Sequence, residues 1–191
     1  RDAQESRGLG DVYKRQIYSD DQGATWHLGA VTDHPYGNES TVVELGDGSL
    51  MTNMRNYEPN SLGYRWQAVS RDGGLTYEPA QVTTLIEPNN NGCQGSILRY
   101  SINSAGKANL LFSNPDHGSS RRNGSIKLSS NDGRSWSRTF KYVPDNDFYS
   151  AYSDLAVLAN KKVGVLFEHG HNNGKGIYFR SFEFAEIAAA L

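Results

Sequence analysis

The sequence predicts an all-β fold assembled from repeated sheets, with β-propeller blades as the leading arrangement. Three observations predict it. A turn-like pattern, Ser-x-Asp-x-Gly-x-Thr-Trp, occurs three times: Ser19, Asp21, Gly23, Thr25 and Trp26; Ser70, Asp72, Gly74, Thr76 and Tyr77; Ser129, Asn131, Gly133, Ser135 and Trp136. The leading serines stand 51 and then 59 residues apart, and a period of about 50 residues belongs to repeat folds such as propellers. Short strand-like runs separated by glycine and asparagine turns fill the space between the copies. Helix-forming composition is confined to "AEIAAAL" at 185–191.

Taken in order, the elements read as follows. "RDAQESRGLGDVYKRQ" (Arg1–Gln16) is charged, lacks strand alternation and begins without methionine. It resembles translated adapter sequence, so residues 1–16 are read as a non-native segment and 17–191 as a partial propeller domain whose true N-terminus is lost. "STVVEL", "GDG" and "SLMTNMR" read strand, turn, strand, and "YRWQAVS" leads into the second box. "GSILRYS" and "KANLLFSN" flank the turn "INSAG", and "GSIKLSS" leads into the third box. "SDLAVLA" and "KVGVLFEHG" flank "NKK", and "GIYFRSFEF" is a late strand.

The box itself has the chemistry of a hairpin turn. Glycine takes the positive φ that a tight turn needs. The Asp or Asn side chain bonds backbone N–H groups across the turn, and the Ser and Thr hydroxyls complete the network. The aromatic residue is expected to return to the core between sheets.

Composition bounds the function. The chain has 191 residues, 37% hydrophobic and 21% charged, with 20 glycines, which is a globular balance. A net charge of −2 offers no electrostatic case for nucleic acid or an anionic membrane. Cys93 is the single cysteine, so no intramolecular disulfide forms. No apolar run approaches the ~18 residues of a membrane span. His169 and His171 lack a third ligand at usable spacing, and no phosphate-gripping glycine loop is present, so neither metal nor cofactor is expected.

Four further stretches carry a more specific likeness: "NESTVVELGDGSLMTNMRNY" (Asn38–Tyr57), "CQGSILRY" (Cys93–Tyr100), "LLFSNPDHGSSRRNGSIKLS" (Leu110–Ser129) and "SAYSDLAVL" (Ser150–Leu158). With the boxes, and in this order, they resemble the exo-α-sialidases (neuraminidases) of the bacterial Asp-box, or BNR-repeat, family. The resemblance implies the C-terminal half, about three blades, of a six-bladed sialidase-type β-propeller. It places the boxes at the hairpins between outer strands, away from the active site.

The same resemblance implies roles. Tyr152 is the nucleophile and Glu39 its partner, while Arg55 and Arg121 bind the substrate carboxylate. Arginine suits that task, since its planar fork grips a carboxylate bidentately and stays charged. A neutral phenol avoids the repulsion that a carboxylate nucleophile would meet at a centre already bearing a carboxylate. With a pKa of about 10, the phenol needs a base, and nearby arginines favour its phenolate form. Tyr149 competes with Tyr152, Glu44 with Glu39, and Arg122 with Arg121. Glu168 is expected to orient another arginine of the triad. Gln94 and Ser96 either line the pocket or satisfy backbone groups at a strand start, and Tyr57 and Trp66 are wall or core aromatics.

Two parts of the family's set are absent from this sequence: an Arg-Ile-Pro motif and a following acid/base aspartate. Arg15 falls in the excluded segment, and Asp21 belongs to a box. The expectation is an exo-α-sialidase parent acting on sialylated glycans (sialoglycoproteins, gangliosides, oligosaccharides) with retention. The fragment alone is expected to be inactive. Export to the periplasm, cell surface or medium is favoured if the source is bacterial. The competing reading is a non-catalytic Asp-box propeller that binds glycans or proteins. A different propeller glycosidase would need a carboxylate pair, and none stands out.

Overall fold

A computed structural model describes residues 15–89, 91–137, 139–143, 149–171 and 174–189. Most of the segment read as non-native, residues 1–14, lies outside the described residues. Among the described residues thirteen strands form four antiparallel sheets in chain order. β1 (Arg15–Tyr18) and β2 (His27–Val31) pair alone. β3 (Gly37–Glu44), β4 (Leu50–Asn56), β5 (Tyr64–Ser70) and β6 (Gln81–Ile86) form a four-stranded meander. β7 (Ser96–Ile102), β8 (Ala108–Pro115), β9 (Gly124–Ser129) and β10 (Phe140–Lys141) repeat it. β11 (Tyr149–Val157), β12 (Val163–His171) and β13 (Gly174–Phe182) make a third, and α1 (Phe184–Ala189) follows. Sheets of this pattern, laid face to face in sequence order, are propeller blades. No helix among the described residues is long and apolar enough to cross a membrane.

The core lies between sheets. Successive side chains of a strand point to opposite faces, and β8 uses both. Leu110 and Phe112 join Val43, Met51, Leu85 and Ile97 on the side of β3–β6. Leu111 joins Ile126, Tyr142, Leu155, Val165 and Phe167 on the side of β11–β13, where Ile187 of α1 closes the cluster. Strands β2, β6 and β10 are not legible as strands in the sequence. β6 shows why: only Leu85 of its six residues is buried, so an outer strand carries little apolar alternation.

Each box spans the hairpin between two strands, β1–β2, β5–β6 and β9–β10, and the last two pairs are the third and fourth strands of their sheets. In the second box the Ser70 hydroxyl donates to Asp72 at 2.8 Å and accepts from Gly74 N at 2.8 Å. Asp72 accepts from Thr76 N at 2.8 Å and from the Thr76 hydroxyl at 2.5 Å. These threonine bonds pull the Asp72 carboxyl down to about 2, and Asp21 likewise. In the third box Asn131 keeps the network by reversing one bond: its Nδ2 donates to Ser135 Oγ at 2.8 Å. The positive φ extends beyond the expected glycine to the residue before it, Gln22 at 59°, Gly73 at 73° and Asp132 at 61°. The first aromatic corrects the sequence reading: Trp26 is 60% exposed. No described sheet covers that box, whereas Trp136 packs on Phe112 with ring centroids 5.9 Å apart.

Asp132 joins the blades. Its Oδ1 accepts from Gly46 N at 2.9 Å, in the β3–β4 turn, and from Ala108 N at 2.7 Å, while Lys107 bonds Oδ2 at 3.0 Å. Gly46 must be glycine there, because a Cβ would sit 2.1 Å from the carbonyl oxygen of Gly106. Asp132→Gly keeps the backbone shape and removes the acceptor, leaving two amides unpaired. It is expected to cost about 1–3 kcal/mol in urea unfolding, with Asp132→Asn costing clearly less.

Candidate active site

The first strands of two blades each open with a bulge. Gly37 pairs with Asn56 and Ser40 with Met54, so Asn38 and Glu39 together oppose Arg55. Ser150 pairs with His169 and Ser153 with Phe167, so Ala151 and Tyr152 together oppose Glu168. Such a two-against-one bulge re-aims a side chain. Here one aims Glu39 and the other Tyr152, and the two meet: the Tyr152 hydroxyl donates to Glu39 Oε1. The boxes stand at the far end of the blades, since Ser70 pairs with Leu50 at the opposite end of β4 from Arg55.

Arg55 joins this pair. Its Nη1 donates to Glu39 Oε2 at 2.6 Å and to the Tyr152 hydroxyl at 3.2 Å. Its Nη2 donates to the Tyr57 hydroxyl at 3.2 Å, and its Nε to the Asn91 carbonyl at 2.7 Å. The Arg55 side chain is only 5% exposed, and Glu39 33%. Burial works against ionising Glu39, but the bonds from Tyr152 and Arg55 and the charges of Arg55 and Arg121 outweigh it and hold the carboxyl below its usual range. The Glu39 bond, then burial, pushes the Tyr152 phenol up, against the pull of Arg55. The resting pair is therefore a phenol on a carboxylate. Arg55 pulls the phenol toward phenolate, as expected of a nearby arginine, but the bond to Glu39 outweighs that pull.

Arg121 lies on the loop between β8 and β9, with its guanidinium carbon 5.6 Å from the centroid of the Tyr152 ring. It also bonds the Tyr149 hydroxyl, and it is close enough to Arg55 for the two charges to repel. The neighbouring Arg122 turns its Nε to Ser120 at 2.7 Å. Glu44 stands at the far end of β3, paired with Arg99 at 3.2 Å. Glu168 accepts from the Tyr149 hydroxyl at 3.1 Å and from Tyr152 N at 3.3 Å. Gln94 spends both ends of its carboxamide on the backbone of Ser153, each at 3.0 Å. Trp66 stacks on His34 at 4.1 Å. Gln94, Tyr152, Leu166, Glu168 and Ile177 line a hollow of about 280 Å³ beside the phenol. Among the described residues no cluster of His, Cys, Asp and Glu could hold a metal ion. His169 bonds the Tyr149 carbonyl at 3.0 Å, and the side chain of His171 lies outside the described residues.

One support of the site escaped the sequence reading. Arg65 and Glu87 are fully buried and paired at 2.8 Å. Arg65 also donates to Asn53 at 2.5 Å and to the Cys93 carbonyl at 2.6 Å. Glu87 accepts from Asn56 N at 2.8 Å and Cys93 N at 3.2 Å. The pair thus ties the strand carrying Arg55 to the Asn91–Cys93 loop that bonds it. Gly92 lets that loop lie close, since a Cβ would meet Arg55 Cγ at 2.9 Å. The signal was faint: one arginine inside "YRWQAVS", with its partner 22 residues on.

The BNR repeat-like domain model matches residues 10–165, so the chain belongs to that family. A sialidase of Micromonospora viridifaciens is 36% identical over 174 residues, which is 88% of this chain and 25% of the relative. A sialidase of Bacteroides fragilis is 31% identical over 158 residues, 80% of this chain and 27% of the relative. The intramolecular trans-sialidase of Ruminococcus gnavus, solved in complex with oseltamivir carboxylate, superposes with a TM-score of 0.73 at 27% identity, over 90% of this chain and 38% of that one. The chain spans about a quarter of the length of these two sequence relatives. Its sheets are blades of a sialidase-type propeller.

Removing one member of a buried ion pair strands the other. Arg65→Met is expected to cost about 3–5 kcal/mol in denaturant unfolding, with Arg65→Met/Glu87→Leu recovering a large part. The depressed Glu39 carboxyl contributes stability above its unfolded value of about 4.3, and this is lost as pH falls through the lower folded value. Unfolding measured from about pH 7 to about pH 2 should show a shallower acid decline for Glu39→Gln than for the natural chain.

Proposed function

We propose that this BNR repeat-like chain carries the nucleophile side of an exo-α-sialidase site, which releases terminal α-linked sialic acids with retention of configuration. The observation that carries the reading is the Tyr152 phenol donating to Glu39 while Arg55 bonds both. A propeller that only binds glycans has no use for a phenol set on a carboxylate that a buried arginine holds.

The geometry supports a definite division of labour. Arg55 and Arg121 repel one another, and an anion between them relieves that repulsion. The carboxylate on the anomeric carbon of a sialoside is such an anion: the remaining N–H of Arg55 Nη2 and the guanidinium of Arg121 can donate to it. This places the anomeric carbon above the Tyr152 hydroxyl. Tyrosine oxygen then forms the bond to that carbon as the glycosidic C–O bond breaks, and the phenolic proton passes to Glu39. Arg55 Nη1 stabilises charge developing on the phenol oxygen. The leaving oxygen takes a proton from an acid, which the family resemblance assigns to an aspartate. Water then attacks the anomeric carbon from the opposite face and gives its proton to the conjugate base of that acid, while the bond to Tyr152 breaks and the phenol oxygen takes its proton back from Glu39; the two inversions leave configuration retained. Sialylated glycoproteins, gangliosides and oligosaccharides share the terminal group this site would read.

The sequence holds no Arg-Ile-Pro motif, so the 191-residue chain is expected to bind the sugar without turning over a sialoside. Titration of the chain with N-acetylneuraminic acid by calorimetry or NMR tests the reading. Arg55→Ala and Arg121→Ala should each weaken binding at least ~10-fold, about 1.4 kcal/mol. Exchanging the exposed Arg71, which pairs with Glu78 at 2.6 Å, should change nothing. Equal affinity in all four proteins would refute the carboxylate clamp. Release of free sugar from a sialoside by the chain alone would refute its dependence on further groups.

A further inference from the structure

We infer that Gln94 is a positioning residue for Tyr152: its carboxamide, paired with the backbone of Ser153 across the gap between two blades, holds the bulge that aims the phenol at Glu39. The inference rests on the Tyr152–Glu39 pair proposed above and assigns the device that builds it.

β11 is the first strand of its sheet, so among the described residues one of its edges has no strand partner and meets only the backbone of Arg121 and Arg122, beside Tyr149 and Ser150. That contact ends at Ser150, and past it Ala151 and Tyr152 have no paired residues of their own on β12. Side chains supply what the missing strand would. Ser153 N donates to Gln94 Oε1 and Gln94 Nε2 donates to the Ser153 carbonyl, both at 3.0 Å. A primary carboxamide offers the same donor and acceptor as a peptide unit, so Gln94 acts as one rung of a strand. Ser96 supplies the next rung, with its Oγ accepting from Leu155 N at 3.1 Å and donating to Asp154 at 2.9 Å. On the other edge Glu168 accepts the Tyr152 N–H at 3.3 Å. Beneath, the Ser153 hydroxyl bonds Ser113 at 2.6 Å, and Ser113 bonds Tyr142 at 3.2 Å. The residue after the nucleophile is therefore gripped at N–H, carbonyl and hydroxyl, and only the Gln94 grip comes from outside the hydroxyl cluster and the strand pairing.

The other bulge supports this reading by contrast. There Asn38 Oδ1 accepts the Glu39 N–H at 2.7 Å, so that bulge carries its own splint. The position that matches Asn38 in the β11 bulge is Ala151, whose side chain has no polar atom; Glu168 accepts the Tyr152 N–H instead, and Gln94 holds the next residue, Ser153.

The test reads the phenol directly. The 191-residue chain is prepared with tyrosine labelled at the ring carbon bearing oxygen, and the Tyr152 resonance is assigned by its loss in Tyr152→Phe. The phenol is bonded by Glu39 from β3 and Arg55 from β4, with Arg121 of the β8–β9 loop over its ring; Glu168 from β12 bonds its backbone, Tyr149 of its own strand bonds Glu168, and Asp154 bonds Ser96. In the natural chain the resonance should titrate above an exposed tyrosine, and Glu39→Gln should bring it down. Gln94→Ala and the similarly shaped Gln94→Met should bring it down as well, while Asp132→Gly should lower stability without moving it. A Tyr152 midpoint unchanged in folded Gln94 variants overturns the inference. Failure of both variants to fold overturns it too, since Gln94 would then be a framework residue of the blade. If Glu39→Gln leaves the midpoint in place, the pairing of Tyr152 with Glu39 is what fails.

Discussion

The arrangement depends on one buried guanidinium. Arg55 bonds a loop carbonyl, a carboxylate and two phenols, and these come from four separate segments of chain. Such convergence is costly unless most of the donors are used and the arginine is held from behind. The Arg65–Glu87 pair supplies that hold. It anchors the amide of Asn56 next to Arg55 and both backbone groups of Cys93 beyond the loop. A buried ion pair is a poor source of net stability, and its position here points instead to register: it keeps a bonding carbonyl at the height of Arg55 Nε.

The second element is the bulge. Propeller blades are regular, and a regular strand would direct the side chains of Glu39 and Tyr152 along the pleat. Two-against-one pairing at the start of β3 and β11 frees one residue in each to point at the other. The two bulges occupy matching places in their blades, with Glu39 facing Arg55 and Tyr152 facing Glu168. One repeated structural position therefore supplies both members of the phenol–carboxylate pair. In the intervening blade Gln94 stands just before β7 and crosses to β11.

What the sequence made legible follows from the range of the interactions. The box hairpins were legible because their bonds are local, made within five or so residues by Ser, Asp and Thr around a glycine. The inner strands were legible because they are buried and apolar. The outer strands β2 and β6 were not, since exposed residues carry no periodic signal. Trp26 shows the limit of a local rule, because an aromatic box residue is buried only where another sheet meets it. Tyr152, Glu39, Arg55 and Arg121 could be singled out by family resemblance, but nothing local says that Tyr152 reaches Glu39 across 113 positions. Arg65 and Glu87 look like ordinary surface charges until the fold buries them together. Gln94 had two readings in sequence, and the structure places its carboxamide on backbone, at the strand that carries the phenol.

The account stands on the phenol, the carboxylate and the two arginines acting on one ligand. A crystal structure of the chain with N-acetylneuraminic acid bound tests this most directly. The account predicts the sugar carboxylate between Arg55 and Arg121, with the anomeric carbon facing the Tyr152 hydroxyl and the Tyr152–Glu39 bond intact. A sugar held by the hydroxyl-rich boxes, or one whose carboxylate points away from both arginines, would contradict it.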